Sequence, residues 1–348
     1  MNNIREKITA QRPETKAQSE YDPAAYEKFK IDPTAEISEN PVLIKIAGVV
    51  IATLMNFSLW IGKAKSRKTF FITSITAAAA CGRCSIEIVE GTFRPEANKV
   101  LYFDTEQSPF HAQRTIKRIC KQIGVEQPGN LIAYGLRPMA PAERLHFIEH
   151  KINNTSGLAL VVIDGIADLL SSGINDEIEA IGILTRLMKW TEDRNIHIIT
   201  VLHMNKGDFN ARGVIGSYLM QKAESTISIN KSPQDKNISI VRADYCRDMD
   251  FEDLAFTIND EGLPVLAETP LPEKPALLQQ KAMFEAILPP PRTLTRGRLV
   301  AEYMDRSGKK ERTANNHINA GLEHGFLNFD EATKGYSLYQ EPTNEIPF

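Results

Sequence analysis

The sequence has few of the features that would place the chain in a specialised class. Its four cysteines are Cys81, Cys84, Cys120 and Cys246, which are too scattered to indicate a disulfide framework. Cys81 and Cys84 form a lone C-x-x-C pair, and we do not expect zinc because no second pair stands at ligand spacing. Reduced thiols, as in cytoplasmic proteins, are the simpler interpretation.

Excess charge of one sign and long apolar runs are also missing. The formal net charge of −3 gives no global argument for nucleic-acid binding, so any basic surface must be local. No uncharged run is long enough to span a bilayer, and residues 1–7 do not resemble a secretion signal. We therefore expect a cytoplasmic protein with no membrane partner. The 348 residues suggest one large domain and a smaller one.

Three segments of different character follow one another along the chain. Residues 1–38 are polar and charged, and we interpret them as an extended arm with one short helix near residues 24–29. Residues 39–268 alternate apolar strand-like runs with helical segments, which predicts a doubly wound, mostly parallel α/β sheet covered on both faces. Residues 269–348 begin rich in proline and charge, and we expect a linker followed by a small C-terminal domain.

The most informative stretch is Asn56–Cys81. A strand-like run, Phe57–Ile61, leads into the polar turn Gly62–Lys68, and a helical segment follows from Thr69. A nucleoside triphosphate site requires this order of strand, phosphate-binding loop and helix, because loop amides and a helix N-terminus together attract phosphate. The predicted nucleotide-binding residues are Gly62, Lys63, Ala64, Lys65, Ser66, Arg67, Lys68 and Thr69.

The loop matches the pattern G-x-x-x-x-G-K-[ST] with one departure. Gly62, Lys68 and Thr69 fill three fixed positions, so Lys68 is expected to reach the β- and γ-phosphates and Thr69 to coordinate Mg²⁺. Arg67 stands where the second glycine belongs, and its Cβ hinders conformations that glycine permits. Taken alone, the stretch is equally compatible with a basic turn before a core helix, so later strands must decide.

Two later strands are predicted to bring carboxylates to the same edge of the sheet. Residues 99–106 form an apolar run that ends in two acids, the second being Glu106, and residues 157–165 form another that ends at Asp164. Ligands bind at the carboxyl ends of parallel strands. Glu106 could therefore polarise the attacking water, and Asp164 could hold Mg²⁺ through its water shell, with Asp168 as second choice. A solvated strand end is the alternative for Glu106.

A further apolar strand, Ile196–Leu202, ends at His203. His203 could sense the γ-phosphate from this strand tip, although a lone histidine is more often structural. Residues 208–216 contain glycines and are expected to be mobile. Arg212 in this segment could reach the nucleotide of an adjacent subunit, and a solvated loop charge is an equally good interpretation. Three more strands are expected to complete the sheet in antiparallel fashion, at residues 225–230, 238–243 and 254–259.

The C-terminal segment is predicted to form a winged helix-turn-helix. Helices at residues 275–287, 294–304 and 311–324 precede a hairpin of strands at 326–329 and 336–339. Basic and polar residues begin the candidate recognition helix and suit contacts with phosphates and groove edges. These predicted DNA-binding residues are Lys309, Lys310, Arg312, Asn315, Asn316 and His317. A small protein-binding winged helix is the alternative, because acidic residues are interspersed.

Together these motifs resemble the RecA-like ATPases of the RepA type, the hexameric plasmid replicative helicases. They are more closely similar to the ATPases that accompany mobilisable elements in Bacteroides-type bacteria. The resemblance rests on GKAKSRKT at 62–69, VLYFDTE at 100–106, LVVIDG at 160–165 and HMNKGDFNARGVIGS at 203–217. It implies a RecA-like fold, ATP and Mg²⁺ as cofactors, and a homo-oligomeric ring, a hexamer, with the ATP site between subunits.

The resemblance also implies individual roles. Glu106 matches the catalytic glutamate, Asp164 the Walker B aspartate, His203 the sensor and Arg212 the arginine supplied in trans, while Lys68 would stabilise charge. The expected function is an ATP-dependent DNA motor or remodelling ATPase for replication, excision or mobilisation of a mobile element. Its partner would be single-stranded DNA in the ring, with duplex DNA at the winged helix.

Two alternatives remain open at this point. In the first, the protein is an ATP-binding, DNA-binding regulator with little or no hydrolysis, because Arg67 would impair catalysis more than nucleotide binding. In the second, it is a structural partner of a replication protein that has lost nucleotide binding. Similarity to helicases does not by itself show unwinding, because the same core serves loaders and recombination ATPases.

Overall fold

The computed structural model of the protein describes residues 23–92, 94–205, 210–247, 249–268, 275–323 and 325–339. The described residues before Val42 form a compact unit separate from the chain that follows. In this first unit, helix α1 (Pro23–Tyr26) continues into a 3-10 turn at Glu27–Phe29. The short helix predicted for the arm is therefore confirmed. No helix in the described part of the chain combines the length and apolarity needed to cross a membrane.

The second unit begins with an α/β region. Its strands are β1 (Val42–Ile46), β2 (Val49–Thr53), β3 (Phe57–Gly62), β4 (Val89–Gly91), β5 (Lys99–Asp104), β6 (Leu131–Gly135), β7 (Leu158–Asp164), β8 (His197–His203), β9 (Ser225–Lys231), β10 (Ser239–Cys246), β11 (Leu254–Ile258) and β12 (Pro264–Ala267). Its helices are α2 (Lys68–Cys81), α3 (Pro109–Ile123), α4 (Pro141–Asn154), α5 (Glu177–Arg194) and α6 (Gly213–Lys222). Strands β2, β1 and β4 form a small separate sheet.

The main sheet of the described chain has the order β12-β11-β10-β9-β3-β8-β7-β5-β6. The six strands from β9 to β6 run parallel, whereas β10, β11 and β12 are added antiparallel. The expected mostly parallel α/β sheet is thus confirmed. The antiparallel assignment of the strand at 225–230 is wrong, because β9 pairs in parallel with β3.

The misassignment of β9 follows from a helix that the sequence analysis did not predict. Helix α6 covers part of the segment interpreted as a loop at residues 208–216, and it supplies the crossover that a parallel strand requires. Gly213 and Gly216 lower the helix propensity of this segment. Gly216 is needed for packing, since a Cβ there would lie 2.7 Å from the Cβ of Ala211. Residues 206–209 of the segment lie outside the described residues.

Helices cover the main sheet on both faces, which explains why its strands read as continuous apolar runs. One hydrophobic cluster contains side chains of α2, α3 and the small sheet, and the other contains side chains of α4, α5 and α6. Strand β5 contributes to both, because successive side chains alternate between the faces of a sheet. Tyr102 packs in the first cluster, and Leu101 and Phe103 pack in the second.

The C-terminal part forms its own hydrophobic cluster. Its elements are α7 (Pro275–Ile287), β13 (Leu294–Thr295), α8 (Arg296–Ser307), α9 (Glu311–Glu323), β14 (Leu327–Asp330) and β15 (Gly335–Leu338). The helix predicted from residue 294 begins instead at Arg296, because Leu294 and Thr295 pair with β15. The result is three helices with a sheet of order β13-β15-β14. Residues 269–274 of the predicted linker lie outside the described residues.

Candidate functional site

The predicted phosphate loop joins β3 to α2, and its first glycine is pressed against a neighbouring strand. A Cβ on Gly62 would lie 2.1 Å from the carbonyl oxygen of Ile229 on β9 and 2.8 Å from Ser66 Oγ. Only glycine fits at this position without movement of the backbone. Ser239 Oγ on β10 donates a 3.1 Å hydrogen bond to the carbonyl oxygen of Ser66. The loop is therefore supported by the antiparallel side of the sheet.

Arg67 adopts the backbone conformation that explains why the motif normally has glycine here. Its φ of 72° and ψ of 26° are left-handed, a region that costs a residue with a Cβ about 1–2 kcal/mol. Arg67 Nη1 donates a 2.5 Å hydrogen bond to the carbonyl oxygen of Asn237 in the turn between β9 and β10. The glycine-like path of the loop is thus retained, with the arginine side chain attached to the turn.

Lys68 is buried at the start of α2, beside the loop. Its Nζ donates hydrogen bonds to the carbonyl oxygens of Gly62 (2.9 Å) and Lys63 (3.2 Å) and lies 3.3 Å from His203 Nδ1. Burial lowers the pKa of Lys68, and the charges of Asp164 and Glu106 oppose this effect. Ser66 Oγ, on the same loop, is buried without a hydrogen-bond partner in the described structure. A bound phosphate would give Ser66 Oγ a hydrogen-bond partner and would pair with the charge of Lys68.

Asp164 lies at the end of β7 and receives two hydroxyl hydrogen bonds. Thr69 Oγ1 donates to Asp164 Oδ2 at 3.1 Å, and Tyr102 Oη donates to the same oxygen at 2.8 Å. The pKa of Asp164 is raised to about 6, chiefly by burial and also by the carboxylates of Asp104 and Glu106, while the hydrogen bonds from Tyr102 and Thr69 oppose the rise. A divalent cation would offset this penalty on the charged form.

The hydroxyl of Thr69 and the carboxylate of Asp164 fit the oxygen ligands that Mg²⁺ prefers. No cluster of three or more histidine, cysteine or acidic side chains in the described ranges could hold a metal ion on protein ligands alone. Magnesium sites of nucleotide-binding proteins typically use one or two protein ligands, with phosphate and water completing the shell. The residues present therefore fit Mg²⁺ bound together with a nucleotide.

Asp168, the second choice for the metal-binding acid, does not contact Thr69 as Asp164 does. Its Oδ2 accepts a 2.8 Å hydrogen bond from Thr105 Oγ1, while Asp164, not Asp168, contacts Thr69. Arg144 Nη1 donates to the backbone carbonyl of Asp168 at 2.8 Å. These contacts favour Asp164, the first choice of the sequence analysis, as the acid beside the metal.

Glu106 follows β5 and projects into the same region, with about half of its side chain exposed. Its Oε1 lies 3.5 Å from His203 Nε2. The hydrogen bond from His203 lowers the pKa of Glu106, and the charges of His203 and Lys68 act in the same direction, so the side chain is an ionised carboxylate at neutral pH. Asp104 holds the turn before it, because its Oδ1 accepts hydrogen bonds from the backbone N–H groups of Glu106 (3.1 Å) and Gln107 (2.8 Å).

These groups line a single cavity of about 350 Å³. Besides the loop, Glu106, Asp164 and His203, its walls include His111, Arg114 and Arg118 from one face of α3. The guanidinium of Arg118 lies 3.7 Å from the ring centroid of Phe70. The sequence analysis missed this wall, although the i, i+3, i+7 spacing of three basic side chains places them on one helical face.

Arg212 is not part of this cavity. It is exposed at the N-terminal end of α6, and its backbone N–H donates a 3.0 Å hydrogen bond to the carbonyl oxygen of His203. An isolated β-bridge between Met204 and Ala211 closes the intervening segment. The two ends of this segment are therefore linked by a backbone hydrogen bond. His203, at one end, lies beside Glu106, and Arg212, at the other end, lies at the surface.

The six predicted DNA-binding residues differ in their exposure and in their contacts within the chain. Lys309, Lys310, Arg312 and Asn316 are exposed. Asn315 Oδ1 accepts hydrogen bonds from Arg296 Nε and Nη2 at 3.3 and 3.2 Å, and His317 Nδ1 is hydrogen-bonded to Tyr303 Oη at 2.7 Å. Asn315 and His317 are therefore engaged within the C-terminal part itself.

Fold and site together define an α/β protein with a large, mostly parallel sheet and a phosphate loop that joins β3 to α2. Residues 42–208 match the model of a family described as an AAA domain, AAA_25. Among solved structures, the chain is similar to one titled crystal structure of the RadB recombinase, with 17% identity and a TM-score of 0.47, covering 64% of this chain and 95% of that chain. No curated protein matches the chain.

The AAA-domain match covers the phosphate loop and the segments that carry Glu106, Asp164 and His203. The comparisons do not extend to the RepA type or to mobilisable elements, so those parts of the resemblance stay predictions.

Proposed function

We propose that the protein is a Mg²⁺-dependent ATPase that acts on DNA. The observation that carries the proposal is the convergence of Lys68, Thr69, Glu106 and Asp164 on one cavity from three separate segments of the chain. Such a set supplies a cation for phosphate, oxygen ligands for a metal and a carboxylate for water, which are the parts that phosphoryl transfer requires.

Each residue has a defined task in this proposal. The loop amides and the N-terminus of α2 bind the phosphates, and Lys68 neutralises the charge on the β- and γ-phosphates. Thr69 and Asp164 hold Mg²⁺, which supplies further charge neutralisation when bound. Glu106, ionised and half-exposed, orients a water and accepts its proton. His203 responds to the γ-phosphate in this proposal, which its contacts with both Glu106 and Lys68 support.

The first test is ATP binding and phosphate release by the full-length protein. We expect Mg²⁺-dependent hydrolysis, with ATP binding lost in Lys68→Ala and turnover lost but binding retained in Glu106→Gln. Unchanged ATP affinity in Lys68→Ala would instead support the interpretation as a structural partner without a nucleotide site.

Arg212 acts in trans in this proposal, within a homo-oligomeric ring that we infer to be a hexamer. Its exposure and its position outside the cavity of its own chain support a role at a neighbour. Arginines supplied in trans contribute on the order of 10³–10⁵ in rate in GTPase systems. We therefore expect Arg212→Ala to bind ATP normally and to lose nearly all turnover.

A mixing experiment separates action in trans from action in cis. Arg212→Ala and Glu106→Gln subunits, each inactive alone, should regain part of the turnover when mixed, because a Glu106→Gln neighbour supplies the arginine. Normal turnover in Arg212→Ala, or no recovery in mixed particles of oligomer mass, would contradict the inter-subunit site.

We further propose DNA as the partner, through a C-terminal winged helix and, by the resemblance, through the ring. The exposed Lys309 and Lys310, just before α9, and Arg312 in its first turn support a phosphate contact there. The process served would be replication, excision or mobilisation of a mobile element. We expect phosphate release to increase with single-stranded DNA, and an equal rate with and without DNA would contradict a motor function.

One observation favours a second candidate, an ATP-binding regulator with little hydrolysis. Arg67 occupies the glycine position of the loop and is attached to the turn at Asn237, which could stiffen the loop against movements during turnover. Tight ATP binding with no phosphate release, on any DNA, would support this candidate.

A further inference from the structure

A buried tyrosine contacts the proposed metal ligand, and the sequence motifs assign it no role. Tyr102 lies on β5, is 0% exposed and packs in the hydrophobic cluster beneath α2. Its hydroxyl donates a 2.8 Å hydrogen bond to Asp164 Oδ2, at the end of the adjacent strand β7. Thr69 Oγ1 donates to the same oxygen at 3.1 Å. One carboxylate oxygen therefore joins the helix of the phosphate loop to the core of the sheet.

The two donors define how Asp164 and Thr69 can act on a cation. Both hydrogen bonds to the side chain of Asp164 that the described residues provide go to Oδ2. Because the Thr69 hydroxyl gives its proton to Asp164, its oxygen lone pairs remain available for a metal. Partners behind the ligands of a metal site fix the orientation of those ligands, and their removal typically weakens metal affinity.

We propose that Tyr102 is a positioning residue for the Mg²⁺ site. The Tyr102 hydroxyl holds the Asp164 carboxylate in the orientation that lets Asp164 and Thr69 act together on the metal. This inference rests on the proposed ATPase function and adds a residue to it. The competing explanation is that a buried tyrosine hydroxyl simply requires some hydrogen-bond partner. That purely structural role predicts an effect on stability and none on the response to Mg²⁺.

The test uses Tyr102→Phe in the full-length protein, which removes one oxygen atom and keeps the ring in the core. ATP affinity is measured by calorimetry in EDTA and then against free Mg²⁺, with the thermal midpoint recorded alongside. We expect the affinity in EDTA to stay at the wild-type value. The free Mg²⁺ concentration that gives half of the Mg²⁺-dependent increase in ATP affinity should rise about tenfold.

Tyr134→Phe is the matched control. Tyr134 lies on β6, the strand on the other side of β5 from β7, and its ring stacks on Phe103 at a centroid distance of 5.7 Å. Its hydroxyl does not contact Asp164, so its Mg²⁺ response should equal that of the wild type. An unshifted Mg²⁺ response in Tyr102→Phe, or an equal shift in both variants, overturns the positioning role.

A second measurement keeps the proposal testable if Tyr102→Phe does not fold. With 3-fluorotyrosine placed at position 102, the ¹⁹F resonance should move when Mg²⁺ is added to the ADP-bound protein, and an unmoved resonance overturns the proposal. The failure of the proposed function looks different, because then the wild-type protein itself shows no nucleotide affinity or no response to Mg²⁺.

Discussion

The backbone at Arg67 offers a direct test of how this phosphate loop tolerates the loss of its second glycine. Arg67 is left-handed, with φ 72° and ψ 26°, and its guanidinium is hydrogen-bonded to the carbonyl oxygen of Asn237. Two substitutions separate these contributions. Arg67→Ala removes the hydrogen bond and keeps the Cβ, whereas Arg67→Gly removes both.

The expected difference between the variants can be worked from the conformation. The left-handed region costs a residue with a Cβ about 1–2 kcal/mol, and glycine avoids this cost. Glycine in turn loses roughly 0.4–1 kcal/mol through the greater entropy of its unfolded chain. Arg67→Gly should therefore be more stable than Arg67→Ala by about 1 kcal/mol, since both lose the same hydrogen bond.

The free energies of unfolding of the two variants can also be compared with that of the wild type. The hydrogen bond to Asn237 contributes about 1 kcal/mol, so Arg67→Ala should be destabilised by about that amount and Arg67→Gly should lie near the wild type. Denaturant titration followed by circular dichroism measures these free energies of unfolding. If Arg67→Ala proved as stable as Arg67→Gly or more stable, that result would refute the left-handed backbone at this position.

The same pair addresses catalysis. Because the path of the loop is already glycine-like, Arg67→Gly should bind ATP with an affinity within about threefold of the wild type, a difference of less than about 1 kcal/mol. A large rise in its turnover would instead identify Arg67 as the residue that restrains hydrolysis, as the regulator interpretation requires.

Three other predictions follow from buried contacts. Gly62→Ala should lower the thermal midpoint and weaken ATP binding, because its Cβ would meet the carbonyl oxygen of Ile229 at 2.1 Å; an unchanged midpoint would contradict this packing. Burial lowers the pKa of His197 in the folded protein, so as the pH falls the unfolded chain binds a proton at His197 at a higher pH than the folded protein does. The stability from neutral His197 is complete above about pH 6.5 and is lost as the pH falls below that value. Unfolding measured from pH 8 to 5 should show this loss in the wild type and less of it in His197→Gln, and equal profiles would contradict it. Asp104→Ala should retain ATP binding and lose turnover, because it removes the oxygen that accepts hydrogen bonds from the backbone N–H groups of Glu106 and Gln107; wild-type single-turnover rates would contradict this role.

Much of the site could be predicted because its signals are local. The strand, loop and helix around Gly62–Thr69 are consecutive in the chain, and the apolar runs before Glu106 and Asp164 mark strands whose ends carry acids. Since parallel strands end at the same edge of a sheet, the meeting of these side chains could be expected. Their roles in binding and catalysis stay predictions.

The misassignment of β9, and several contacts that the sequence did not predict, depend on elements outside the local motifs. The antiparallel assignment of β9 was wrong because glycines concealed α6, the helix that reverses the chain. Asn315 and His317 occupy helix positions that satisfy a DNA-reading pattern, and they are hydrogen-bonded to Arg296 and Tyr303; their role in DNA binding stays a prediction. A pattern of residue types does not show which partner a polar side chain will find.

The sequence by itself determined the order of elements and the chemistry placed at their ends, because periodicity and turn residues act within a few positions of the chain. Only the tertiary structure decided that Tyr102 contacts Asp164, that Arg67 contacts Asn237 and that one face of α3 lines the cavity. These pairs are separated by tens to hundreds of residues, and their contact depends on strand order and register. Packing of the whole domain sets that order, and no local pattern encodes it.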